Sequence, residues 1–416
     1  MGGYEKAIKS PVAEGGVGWY TIDRREIDAV TRVLENPKSL FRYLDDSESG
    51  RFEKNLREKL GVKHALFVNS GTSALACCLA GFGVGMGDEV IVQAYTYIAT
   101  ASACIEVGAV PVIAEIDDSL GLDPADVEKK ITPLTKAVIM THMQGVPGRV
   151  DAIRAIAKKH NLYMIEDSCQ AIGSTYKGKY KGLESDAFAW SLNYFKILTC
   201  GEGGVFFTNS SEAYARAYYQ SDPAGEMWNT GMGSAAPYVR AFTKACYRAS
   251  EVSAAIANVQ LTKLDGILEK TRSLKKILIS RLDKPVNYVL QHVDDPEGDC
   301  GISLAIIMNS TDICKPFTDG LIREGMNVGS AYSASFPDRH IYCYWDAIIN
   351  DERGDIQNYP WNNPAYKGHI AYSKGMCPRS LNLLARSLRI PIHLALTEQN
   401  VIEIADAINK ADKSAG

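Results

Sequence analysis

Between about residues 60 and 210, short runs of apolar, β-branched and aromatic residues alternate with helix-like stretches. This alternation limits the possible folds more than any other feature. The runs are His64–Asn69, Glu89–Gln93, Val110–Ala114, Ala137–Thr141, Leu162–Ile165, Ala187–Ser191 and Gly204–Thr208. Thr72–Ala80, Ile98–Val107 and Val150–Lys159 have helical character and lie between them. A nearly continuous apolar strand is buried on both faces, and strands separated by helices build a mostly parallel sheet covered on both sides. The pattern predicts one large α/β domain around a mostly parallel seven-stranded sheet flanked by helices.

The chain has 416 residues, more than one core normally holds, so two domains are expected. The large α/β domain should span 1–265, with its N-terminal segment, and a smaller α+β domain should span 266–416. Asp23-Arg-Arg-Glu26 looks like a capping box, followed by a helical stripe of Ile27, Val30 and Leu34. Residues 222–240 hold Pro223, Gly225, Gly231, Gly233 and Pro237 and read as a loop. Ser250–Leu264 looks helical and is placed at the end of the large domain. A last helix should start at Thr397, with Val401, Ile404, Ala405 and Ile408 on one face.

Net charge is −4, so no basic face for nucleic acid is expected. No apolar stretch approaches the ~20 residues of a membrane span, and Met1-Gly-Gly-Tyr-Glu-Lys6 lacks the apolar core of a signal peptide. A cytoplasmic protein is therefore expected. The ten cysteines are scattered without Cys-x-x-Cys spacing, so they read as small hydrophobes and no metal site is expected.

Three segments carry chemistry. Ser191-Leu-Asn-Tyr-Phe-Lys196 leads into Gly201-Glu-Gly-Gly204, which suggests an amine at a strand end beside open backbone. Ser70-Gly-Thr-Ser73 stands where a strand hands over to a helix. Free N–H groups there, with the hydroxyls of Thr72 and Ser73, suit a phosphate. Asp167 follows the apolar strand Leu162–Ile165 and could hold a protonated ring nitrogen, which makes the ring an electron sink; Gln170 could reach a phenolic oxygen on that ring. Tyr97 could stack on it, and Ser191 could add a phosphate contact. Together they read as a pyridoxal 5'-phosphate (PLP) site.

At these residues the chain resembles the PLP-dependent sugar aminotransferases of the DegT/DnrJ/StrS type, a fold-type-I group. The landmarks are Ser70-Gly-Thr-Ser-Ala-Leu75, Gly87-Asp-Glu-Val-Ile91, Thr96-Tyr97, Pro111-Val112, His142 and Gly145, Glu166-Asp167 with Gln170, Ser191 through Gly204, and Leu388-Arg-Ile-Pro-Ile392. The resemblance implies that Lys196 links to the cofactor and shuttles the proton. It implies that Asp167 binds the ring nitrogen, Gln170 the 3-hydroxyl and Tyr97 the ring face, and that Thr72, Ser73 and Ser191 hold the phosphate. It further implies an amino donor, glutamate or glutamine, a keto-sugar or cyclitol acceptor, and a homodimer with shared active sites. Related dehydratases carry histidine where Lys196 stands, so lysine favours amino transfer.

One departure is Lys244-Ala-Cys-Tyr-Arg248, where Cys246 replaces the asparagine that the family sends to a partner's phosphate. Arg248 is retained, and Lys244 offers another way to hold the phosphate. Phe195–Gly204 and Asp295–Asp299 resemble the octulosonate-transaminase branch, whereas residues 222–240 and 333–363 do not match it well. Arg42, Arg240 and Arg248 are substrate-binding candidates by charge alone. Rival readings are a PLP-dependent dehydratase, decarboxylase or oxidase on the same scaffold, and a non-catalytic regulatory homologue.

Overall fold

A computed structural model of the chain describes residues 5–9, 16–180, 182–223, 239–240, 242–332, 337–350 and 358–415. Most of the 222–240 loop and part of 333–363 lie outside the described residues.

Seven strands form the central sheet: β1 (His64–Val68), β2 (Glu89–Gln93), β3 (Val110–Ala114), β4 (Thr135–Thr141), β5 (Tyr163–Asp167), and, after the small hairpin of β6 (Thr175–Tyr176) and β7 (Lys179–Tyr180), β8 (Ala187–Ser191) and β9 (Gly204–Thr208). Their order is β1-β9-β8-β5-β4-β2-β3. Only β9 runs against its neighbours; the β8–β5–β4–β2–β3 pairings are all parallel. The carboxyl ends of six strands and the start of β9 therefore share one edge of the sheet. In an open α/β sheet that edge is where ligands bind.

Four helices interleave with these strands: α3 (Gly71–Gly81), α4 (Ala99–Val107), α5 (Pro124–Lys130) and α6 (Val150–His160); α1 (Arg24–Glu35) and α2 (Glu48–Leu60) precede them, and α7 (Ser211–Ser221) follows. The seven predicted strands and the helices predicted between them are present within a few residues of their expected bounds.

The capping box at Asp23 and Glu26 forms. The apolar stripe of α1 does not face inward. Ile27 is 52% exposed and Leu34 57%, while Glu26, Ala29 and Val33 face inward. The reason is a buried polar cluster. Glu26 Oε1 accepts from Gln260 Nε2 at 2.7 Å and from Lys263 Nζ at 2.5 Å, both on the long helix α8 (Glu251–Ser280). This anchoring rotates the apolar stripe outward.

The helix expected over Ser250–Leu264 continues to Ser280, so the boundary drawn at 265/266 falls inside α8. Beyond it, β10 (Tyr288–Leu290), β11 (Ser303–Met308) and β12 (Ser387–Pro391) form an antiparallel sheet in that order. It is accompanied by α9 (Thr311–Arg323), α10 (Pro378–Ala385) and α11 (Glu398–Ser414). Thr397 caps α11, and Val401, Ile404, Ala405 and Ile408 are buried as expected.

Among the described residues no helix is long and apolar enough to cross a membrane.

Candidate active site

The shared edge of the sheet collects the predicted chemistry. Asp167 ends β5 and is 4% exposed. Its carboxylate is gripped from two sides: Oδ2 accepts from Thr100 Oγ1 at 2.8 Å and Thr141 Oγ1 at 3.4 Å, and Oδ1 accepts from Cys169 N at 3.1 Å. Thr96 completes a hydroxyl cluster, 2.7 Å from Thr100 and 3.0 Å from Thr141. Buried charge needs such donors, and donors on three elements fix the direction of the carboxylate. Thr100 and Thr141 were missed in the sequence, and Thr96 was marked only as a landmark. Thr96 and Thr100 lie four residues apart, a helical spacing, but Thr141 comes from a different strand and no local pattern joins them.

Glu166, next to Asp167, points to the other face of β5. His142 Nδ1 accepts from Gly148 N at 3.3 Å, so its proton sits on Nε2, which donates to Glu166 Oε2 at 2.6 Å. This fully buried pair pins the β4 exit beside Asp167.

Gln170 Oε1 accepts from the backbone N–H of Gln144 at 3.1 Å. With its oxygen occupied, the side-chain NH2 is left to donate, which suits a ring oxygen. Gln144 has φ 59° and ψ 25°, a left-handed conformation that costs a non-glycine residue roughly 1–2 kcal/mol. Its side chain offsets that cost by donating from Nε2 to Tyr95 Oη at 2.5 Å, and its carbonyl accepts from Ser303 Oγ at 3.0 Å. No sequence signal marks Gln144.

The phosphate candidates converge at the start of α3. Ser70 caps the helix by accepting from Ser73 N at 3.1 Å. Ser73 Oγ donates to Asn69 Oδ1 at 2.7 Å, so its proton already has an acceptor in this arrangement. Thr72 is half-buried, and its hydroxyl has no partner among the described residues. Ser191, the last residue of β8, presses against the helix start: a Cβ on Gly71 would lie 2.6 Å from Ser191 Cβ and 3.1 Å from Cys169 Sγ. At Gly204 a Cβ would lie 2.2 Å from the Ser70 carbonyl oxygen. Glycine at both positions lets three backbones close on one small space.

Lys196 lies five residues past β8, in a turn rather than at the strand end where the sequence placed it. Its N–H donates to Asn193 O at 2.9 Å and its carbonyl accepts from Gly18 N at 2.8 Å. The ammonium has no ion-pair partner among the described residues. The Lys196 and Asp167 charges both act on the buried Cys169 thiol, whose pKa burial pushes well above its ordinary value. Cys169 links the carboxylate to the cradle: its N–H donates to Asp167, and its Sγ would lie 3.1 Å from a Cβ on Gly71.

Other candidates sit farther out. Tyr97 is 47% exposed and packs on His340 at 5.2 Å between ring centroids. Arg42 is committed to Glu53, Ser49 and the Phe67 carbonyl. Arg248 Nη1 reaches Tyr43 Oη at 3.4 Å, and Arg240 is exposed. Lys244 Nζ lies 3.4 Å from the Val107 carbonyl and Cys246 is exposed.

The residues present fit PLP: a fixed buried carboxylate for the ring nitrogen, an amide donor for a ring oxygen, a helix start with close-packed glycine for the phosphate, and a free amine.

Comparison with known proteins agrees. The family model described as the DegT/DnrJ/EryC1/StrS aminotransferase family matches residues 20–409. The L-glutamine:2-deoxy-scyllo-inosose aminotransferase of Streptoalloteichus tenebrarius is 38% identical over 266 residues, 59% of this chain and 60% of that protein. The match thus spans under two thirds of that relative's length. The dTDP-3-amino-3,4,6-trideoxy-alpha-D-glucose transaminase of Streptomyces venezuelae is 31% identical over 93% of this chain and 92% of its own. Among solved structures, S. venezuelae DesV superposes with a TM-score of 0.74 at 27% identity, covering 95% of this chain and 96% of that one.

Proposed function

The chain belongs to the DegT/DnrJ/EryC1/StrS aminotransferase family and has its fold-type-I architecture, and on that premise we propose that it moves an amino group from glutamate or glutamine to a keto group on a sugar or cyclitol. One relative is named for L-glutamine and 2-deoxy-scyllo-inosose and another for a dTDP-amino sugar, which supports both halves of the reading. The observation that carries it is Asp167, a carboxylate held by three donors at the carboxyl edge of the sheet.

When bound, PLP supplies an aldehyde carbon for the amine and a ring that takes up the electron pair released from the substrate. The protein does the rest. Asp167 would hold the ring nitrogen's proton, and its threonine shell keeps the carboxylate from rotating away. Gln170, steered by Gln144, would donate to the ring oxygen. Thr72, Ser191 and the N–H groups of α3 would hold the phosphate, with Ser73 supporting the cap. Tyr97 would cover the ring from the rim. Lys196 would take the proton from the donor carbon and return it on the acceptor side.

We place the enzyme in the cytoplasm as a homodimer. The exposed apolar side chains Ile27, Leu34, Leu40 and Phe41 support a self-contact, which mass measurement in solution would test.

The test of function is stoichiometry. Holoenzyme given L-glutamate should lose its cofactor absorbance and release 2-oxoglutarate without oxygen. Oxygen uptake or carbon dioxide release would refute amino transfer.

A further inference from the structure

An amino-acid donor brings at least one carboxylate, and a cation facing the site would meet it. Among the charged candidates Arg42 is already committed to Glu53 and to a backbone carbonyl. Arg248 is turned toward Tyr43 and Asp222. Arg240 is exposed at the end of the 222–240 loop, and a fourth cation, in the C-terminal sheet, meets the requirement.

Arg389 lies in β12, where alternate residues face opposite sides. Leu388 and Ile390 pack into the core of the C-terminal domain. Arg389 therefore faces the other way, opposite Ala305 on β11. Ala305 and Ile307 on that face join the core of the large domain, so this is the side that closes on the central sheet. Ser303, opposite Pro391 and one pleat from Arg389, donates to the Gln144 carbonyl at 3.0 Å. Gln144 in turn holds both Gln170 and Tyr95. Arg389 is thus tied by register to the residues that border the cofactor cradle.

Arg389 is exposed and has no hydrogen-bonded or ion-pair partner among the described residues. Its field nevertheless reaches this cleft. Burial pushes the Tyr95 phenol up, and the Arg389 charge opposes it. At Asp338 burial also pushes upward, but His340 and then Arg389 outweigh it and hold the carboxyl below its ordinary value. Asp338 itself is engaged by His340 at 2.7 Å.

We propose that Arg389 is a specificity-determining residue that binds a carboxylate of the amino donor, from the C-terminal sheet across the cleft to Lys196. This rests on the aminotransferase reading above. The guanidinium fork matches a carboxylate with two parallel hydrogen bonds, which a lysine cannot reproduce.

The test compares wild type with Arg389→Gln and Arg389→Lys in the holoenzyme. Two measurements are made: the donor half-reaction with L-glutamate and with L-glutamine, and calorimetric titration with glutarate, an unreactive dicarboxylate. Arg389→Gln should raise the donor KM roughly 10- to 100-fold, the worth of a charge-assisted hydrogen bond, with kcat little changed. Arg389→Lys should recover part of it. A rise for both donors assigns the α-carboxylate, and a rise for glutamate alone assigns the side-chain carboxylate. Glutarate binding should weaken in parallel. Unchanged KM for both donors with unchanged glutarate binding overturns the proposal. If wild type converts neither donor, the function fails, and the glutarate titration still decides Arg389 by itself.

Discussion

Replacing Gly71 with alanine should damage the phosphate cradle by crowding Ser191, whose Oγ would lie 3.0 Å from the new Cβ. The added Cβ would stand 2.6 Å from Ser191 Cβ, where ordinary contact begins at 3.4 Å. Roughly 1 Å of separation must be found. Ser191 has little room to supply it, because β8 is paired through this residue to Gly204 of β9. Gly204 in turn lies against the Ser70 backbone. The start of α3 must therefore move, carrying Thr72 and its free N–H groups. Overpacking of this kind costs about 1–3 kcal/mol, of which alanine's better helix propensity offsets at most about 1 kcal/mol. Displaced charge-assisted hydrogen bonds should weaken PLP binding by roughly tenfold. Guanidinium unfolding of the cofactor-free protein gives the first quantity, and titration of cofactor absorbance gives the second. A Gly71→Ala protein with wild-type midpoint and wild-type PLP affinity would refute the close approach of α3 and β8.

Four further outcomes are expected. Borohydride treatment of holoenzyme should leave a phosphopyridoxyl adduct on Lys196 by peptide mass, and Lys196→Ala should show neither adduct nor amino transfer. Gly266→Ala should stabilise the protein by about 0.5–1 kcal/mol in denaturant melts, because Gly266 is an exposed position inside α8 with open space around its missing Cβ. Thr397→Ala should destabilise by about 1 kcal/mol, since it removes the cap of α11, and should leave donor kinetics unchanged. Gln144→Gly should keep PLP affinity, because the backbone N–H that orients Gln170 survives, whereas Gln170→Leu should lower it when both are titrated side by side.

What was legible in the sequence follows from where each constraint lives. A strand between two helical layers must be apolar throughout, so seven runs announced seven strands. The cofactor segments were legible for a related reason: each sits in one short stretch at a strand exit, where residue type and local geometry are tied together. What escaped was assembled from distant parts. Thr141 meets Asp167 because β4 and β5 are neighbours, and Thr100 reaches the same carboxylate from α4. Gln144 matters through a backbone conformation that its residue type disfavours. Arg389 reads as an ordinary strand charge until the β11–β12 register shows which face it takes.

The buried face of α1 shows the same limit from the other side. Ile27, Val30 and Leu34 form a good apolar stripe, and burying it would ordinarily win. Three hydrogen-bonded ties outweigh it: Glu26 to Lys263, Glu26 to Gln260, and Lys263 to Asp23 at 3.1 Å. A buried carboxylate with an ammonium and an amide on it is costly to break, because either partner left alone in the interior keeps its full desolvation penalty. Rotating α1 to bury Ile27 would expose Ala29 and Val33 and strand Lys263. Lys263→Met should therefore destabilise the fold through an unpaired Glu26, while Glu26→Gln with Lys263→Met should recover much of the loss. Denaturant midpoints of the two single variants and the double variant test this. Additive losses would mean that the polar cluster does not set the orientation of α1.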